Sequence, residues 1–196
     1  MNEPMPAQTC APDVLGRLLK TVSANENQGL LEIEAALRNH PNDARLHFLK
    51  GSVLASAQRY DEGRDAIRRA ITIEPDYALA RFQLGFLELT SGLPAVAIDT
   101  WEPLDQLADD NPLRIFANGL GRLAVDDFAS AFSMLESGIA LNYEHPLIND
   151  DMQLIIDECR AKRAVSDEQE GIVPLSAAQQ LFQSYEVRDS GGYRKT

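Results

Sequence analysis

Few groups in this chain of 196 residues could do chemistry, and their spacing argues against it. The thiols are Cys10 and Cys159, far apart and without a CxxC; the imidazoles are His40, His47 and His145. Zinc needs four such ligands gathered at short, characteristic spacings, so the expectation is two ordinary reduced thiols and no metal. Ser137-Gly138 is not a nucleophile elbow, because no G-x-S-x-G surrounds it. No GxGxxG, P-loop or HExxH occurs. Asp109-Asp110 fall in a loop, and Asp150, Asp151, Asp157 and Glu158 lack the glycine of a calcium loop. Trp101 and His47 are expected to pack. The expectation is therefore no catalytic residue, no cofactor and no enzyme.

Net charge narrows the partners. At −12 the chain is a poor match for nucleic-acid phosphates or for an anionic membrane surface. Basic or apolar partners remain. No apolar run approaches the ~20 residues of a membrane span, and residues 1–12 show neither a basic start nor an apolar stretch. A cytoplasmic protein is expected.

What must position any functional residue is a repeat of 34. Phe48, Phe82 and Phe116 are spaced by it, as are Gly51, Gly85 and Gly119. A third series runs Gly29, Gly63, Ala97, Ala131, and a fourth Ala36, Ala70, Leu104, Gly138. Pro41 and Pro75 share the step, and so do Pro112 and Pro146. Each unit reads as two antiparallel helices joined by a short turn. Glycine inside a helix costs about 1 kcal/mol relative to alanine, so small residues at two fixed places imply close backbone approach.

On these residues the unit 44–77 resembles a tetratricopeptide repeat, with Gly51, Leu54, Tyr60-Asp61-Glu62, Gly63, Ala70 and Pro75 in the family's order. Unit 78–111 follows with Leu84-Gly85, Gly92, Ala97 and Trp101. Unit 112–145 keeps Gly119, Asp127-Phe128, Ala131 and Leu135, with Asn118 and Arg122 where apolar residues are usual. Residues 13–43 form a degraded first unit. The resemblance implies an all-α, right-handed solenoid of about three and a half helix pairs with a capping helix.

It also implies a concave groove lined by the first helix of each pair. Carried over residue by residue, the groove takes Arg45, Phe48, Leu49 and Ser52, with Ala55 and Ser56, from one unit. The next gives Leu79, Phe82, Gln83, Phe86 and Leu89, with Thr90; the last gives Phe116, Leu120 and Leu123, with Leu113, Ala117 and Ala124. Phe48, Phe82 and Phe116 would run along it as an apolar ladder. The basic clamp by which one subclass grips chaperone C-termini is missing, since only Arg45 and the nearby Lys50 or Arg81 stand near it. Arg59, Arg64, Arg68 and Arg69 read as a solvated outer face.

The expected helices lie near 13–23 and 27–39, 43–57 and 61–73, 77–90 and 94–108, 112–125 and 128–141. A cap covers 146–163, with Leu147, Met152, Leu154, Ile155 and Ile156 as its apolar set. The domain map is then 1–12 disordered, 13–163 repeat domain, 164–174 linker, 175–187 amphipathic helix and 188–196 disordered tail. In that last helix Leu175, Leu181, Phe182 and Tyr185 share one face, and could tether the chain or plug its own groove. The expected function is protein–protein interaction, as adaptor or assembly factor, through an apolar peptide or helix in the groove. A cytoplasmic secretion-type chaperone and a structural subunit of a larger complex are the alternatives.

Overall fold

A computed structural model describes residues 9–167, and among these the chain is helix and turn without a strand. The elements are α1 (Pro12–Ala24), α2 (Glu26–Asn39), α3 (Ala44–Ser56), α4 (Tyr60–Ile73), α5 (Ala78–Thr90) and α6 (Pro94–Trp101). A 3-10 turn (Glu102–Gln106), α7 (Pro112–Leu123), α8 (Phe128–Leu141) and α9 (Pro146–Asp167) complete them. Two compact units divide within α5, at Leu84 and Gly85.

Three hairpin turns share one device. Gln58, Gly92 and Asp126 have φ of 61°, 75° and 61°. Arg59, Leu93 and Asp127 then donate their amides to the carbonyls of Leu54, Glu88 and Arg122 at 2.8, 2.9 and 3.0 Å. Each first helix thus ends in a Schellman motif, which satisfies carbonyls that a helix end leaves open. The left-handed residue recurs at the 34-residue step, yet only at Gly92 is it a glycine.

In the first unit, the side chains of Asn25 and Asp43 cap α2 and α3, accepting from the amides of Gln28 and Arg45, both at 3.0 Å. A Cβ on Gly51 would collide with Ile67 and lie 2.8 Å from the Gly63 carbonyl; one on Gly63 would lie 3.1 Å from the Gly51 carbonyl. The two glycines therefore exist so that α3 and α4 can touch backbone to backbone. Leu18, Ile33, Leu46, Leu49, Val53 and Cys10 form the core shared by α1, α2 and α3. Each such buried aliphatic side chain contributes about 1.5–3 kcal/mol. Residues 9–12 correct the expected disordered start. Cys10 is 2% exposed, and its amide donates to buried Asp43 at 2.7 Å.

In the second unit, Trp101 of α6 fills the space left by Gly85. Helix α6 stops at Trp101 rather than running to 108 as expected, and passes into the 3-10 turn. The reason is Pro103, which has no N–H for the next helical bond. Asn111 and Asp127 cap α7 and α8, accepting from Leu113 and Ser130 amides at 3.0 and 3.3 Å. Gly138 of α8 receives the Phe116 ring: a Cβ there would sit 2.5 Å from Phe116 Cε1. Buried Asn142 ties α8 to α9, donating to the His145 carbonyl and to Asn149 Oδ1, both at 2.8 Å. Helix α9 buries Ile148, Met152, Ile155, Ile156 and Cys159. Leu147 and Leu154 do not join that core as expected; they are exposed on the other side. Helix α9 also continues to Asp167, so the expected linker at 164 begins inside it. The expected helix 175–187, the tail 188–196 and residues 1–8 lie outside the described residues.

Candidate peptide-binding surface

Positions assigned to a groove by the repeat register fall into closed and half-open sets. In the first unit Arg45, Phe48 and Ser52 on α3, and Leu79 and Gln83 on α5, are half-buried. Leu49 and Phe82 are buried, Phe82 to 1% exposure. In the second unit Phe86, Leu89, Phe116, Leu120 and Leu123 are all buried, Phe116 completely. The expected open ladder of Phe48, Phe82 and Phe116 is therefore corrected. Phe116 turns into its own hairpin because Gly138 makes room for the ring, and only Phe48 keeps partial access.

Phe48 meets Tyr77 with ring centroids 5.2 Å apart at 57°, the tilted geometry that aromatic pairs favour. Burial, followed by the nearby Glu74 carboxylate, pushes the Tyr77 hydroxyl up, so the ring stays neutral. One turn along α3, Ser52 spends its hydroxyl on the Phe48 carbonyl at 3.0 Å. The surface here is thus aromatic and partly open.

Arg45 is held inward. Its guanidinium donates to both oxygens of Asp43 at 3.0 and 2.8 Å, and to the Cys10 carbonyl at 2.8 Å. Burial alone would raise the Asp43 carboxyl. Hydrogen bonds from Arg45 and the Cys10 amide outweigh it and hold the group at about 2. Burial, then the hydrogen bond and charge of Asp43, push the Cys10 thiol up, which keeps it protonated and a poor nucleophile. This cluster is a structural clasp that sequence reasoning missed; three residues on two segments carry no spacing signal.

The basic group on α4 and at its start is accounted for by neighbours. Arg59 pairs with Glu62 at 2.6 Å, Arg64 with Asp61 and Arg68 with Asp65 at 2.9 Å, all one turn apart on α4 or its start. Arg69 reaches Asn42 at 3.4 Å. Such exposed pairs contribute little. His47 is half-buried, its Nε2 2.9 Å from the Pro41 carbonyl. A hollow of about 420 Å³ lies between α1 and α2, floored by Val14, Leu18 and Ala36, with Arg17, Lys20 and Glu32 at its rim. Glu32 is already bonded there by Thr21 and Gln28 at 3.1 and 3.0 Å.

No protein-family model matches the sequence, and neither does any curated protein. Solved structures do. A MamA fragment (41-end) from Desulfovibrio magneticus RS-1 is 13% identical, covering 81% of this chain and 96% of that one with a TM-score of 0.55. YrrB, described as a TPR protein with an unusual peptide-binding site, is 15% identical, covering 93% and 87% with a TM-score of 0.55. PilW, described as a widely conserved type IV pilus biogenesis factor, is 16% identical, covering 93% and 88% with a TM-score of 0.58. At these identities the likeness is one of fold: the chain is all-α, built of tetratricopeptide-type helical hairpins.

Proposed function

We propose that this protein is an interaction module, an adaptor or assembly factor, that holds an apolar peptide or helix of another protein. The tetratricopeptide-type fold supports a role in binding polypeptide. The observation that carries the reading is the half-open Phe48 on α3, tilted against Tyr77, with the nearby Arg45 guanidinium already held by Asp43. Aromatic side chains in such settings dominate the energy of protein contacts. Leu79 and Gln83 on α5 extend the same register. The reading assigns no catalysis and places the protein in the cytoplasm. Among the described residues no helix is long and apolar enough to cross a membrane.

Partners captured from the native host by the tagged full chain, and identified by mass spectrometry, supply the ligand for the test. Phe48→Ala should weaken that partner by more than about tenfold, the loss of a hot-spot side chain, with the far-ultraviolet circular dichroism unchanged. Undiminished affinity would remove Phe48, and with it the surface, from the binding site. Leu175, Leu181, Phe182 and Tyr185, outside the described residues, are assigned in the same reading to a tether into a larger assembly. A chain lacking 172–196 should then remain monodisperse but fail to co-purify with that assembly; aggregation of the truncated chain would contradict the tether.

A further inference from the structure

Pro112 and Pro146 each open a helix and stand 34 residues apart. Carried along α9, that step brings Leu147, Asp150, Asp151, Leu154, Asp157 and Glu158 to the register positions that Leu113 through Ala124 hold in α7. Helix α9 thus follows the register of a first helix. In α7 these positions are apolar and, at Phe116, Leu120 and Leu123, fully closed. In α9 they are open: Leu147 is 78% exposed, Leu154 is 45% exposed, and Asp150 and Asp157 are exposed with them.

Leu147, Asp150, Leu154 and Asp157 follow one another at steps of three and four, so they form one stripe along the helix. Its charge is not cancelled locally. Asp157 accepts only from the Gln153 amide at 2.9 Å, and Asp150 has no hydrogen bond or ion pair among the described residues. Arg160 is directed elsewhere, to Glu136 at 2.6 Å and over the Phe132 ring at 5.2 Å. Two leucines each followed by an aspartate, repeated at seven residues, match the period of a second helix lying along the first. An identical stripe from a second copy would meet it acid to acid, and the copies repel through a net charge of −12 each.

We propose that the exposed face of α9 docks a basic amphipathic helix of another protein. Its apolar side chains rest on Leu147 and Leu154, and its lysines or arginines face Asp150 and Asp157. This surface belongs to the second compact unit and Phe48 to the first. The test uses the full chain and two fluorescent helix-forming peptides with leucines at alternating steps of three and four, one carrying lysine between them and the other glutamate. Fluorescence anisotropy should show saturable, salt-weakened binding of the lysine peptide and none of the glutamate peptide. Asp150→Lys with Asp157→Lys should weaken it at least about tenfold, Leu154→Ser should weaken it independently, and Phe48→Ala should leave it intact, all with unchanged circular dichroism. Failure of the lysine peptide to bind, or equal binding by the charge-reversed chain, overturns the proposal. So does binding that emerges only when residues 168–196 are removed, which gives the face to the chain's own segment. A dimer of the full chain that the charge reversal disperses gives it to a second copy and overturns it equally.

Discussion

The hairpins α3/α4 and α7/α8 share a glycine in their first helix, Gly51 and Gly119, and use it to opposite ends. In α3/α4, Gly51 and Gly63 face each other, and besides the Ile67 side chain a Cβ on Gly51 would meet backbone: a carbonyl lies 2.8 Å from it, and one lies 3.1 Å from a Cβ on Gly63. In α7/α8, the nearest atoms to a Cβ on Gly119 are the Leu135 side chain at 3.0 Å, and Gly138 yields to the Phe116 ring. One hairpin is a backbone contact, while the other is a side-chain fit. A side chain can rotate away from an intruder, whereas a carbonyl in a helix cannot without bending the helix. The same periodic glycine therefore carries different tolerance.

Removing the ring that fills α8 should have the largest effect. Phe116→Ala leaves a fully buried space above Gly138 and is expected to cost about 3–5 kcal/mol in thermal or urea unfolding. A cost near that of a surface substitution would show that the ring does not hold the hairpin together. Gly51→Ala comes next, at about 1–3 kcal/mol, because the added methyl meets backbone. Gly119→Ala should cost clearly less, because Leu135 can give way and alanine itself favours helix. Equal costs at the two glycines would erase the distinction between the hairpins.

A smaller and pH-dependent effect sets the first unit apart. The Asp43 carboxyl is held at about 2, below its ordinary 3.8. A depressed carboxyl contributes stability that is complete above its unfolded value and lost as pH falls through the folded one. The clasp on Cys10 should therefore contribute about 2 kcal/mol above pH ~4 and lose it between pH ~4 and ~2. Asp43→Asn should flatten that part of the stability–pH curve. An unchanged acid limb in the variant would contradict the clasp.

How much of this was legible follows from what a period can encode. Equal spacing of Gly51 and Gly85 reports that a helix face needs room, so the hairpins and their close contacts could be read directly. It does not report which atom takes the room, and so the spacing points Phe116 at a groove while Gly138 makes a place for its ring inside the hairpin. Pro103 carries a plain signal for the break, which Leu104 masks by keeping the 34-residue step beyond it. In α9, Pro146 held the step, but Gln153 stands where Gly119 would predict glycine, and the apolar count favoured a cap. The Asp43, Arg45 and Cys10 cluster joins segments more than 30 residues apart, and no local pattern announces such a meeting.

Cys10 and Cys159 are both buried thiols outside any disulfide, one in each compact unit. A thiol reagent reaches such a group only when its surroundings open, so the labelling rate counts openings. The wild-type chain thus carries a separate clock in each half. Labelling followed by mass spectrometry would time the N-terminal clasp and the α8/α9 junction independently, without a single introduced probe.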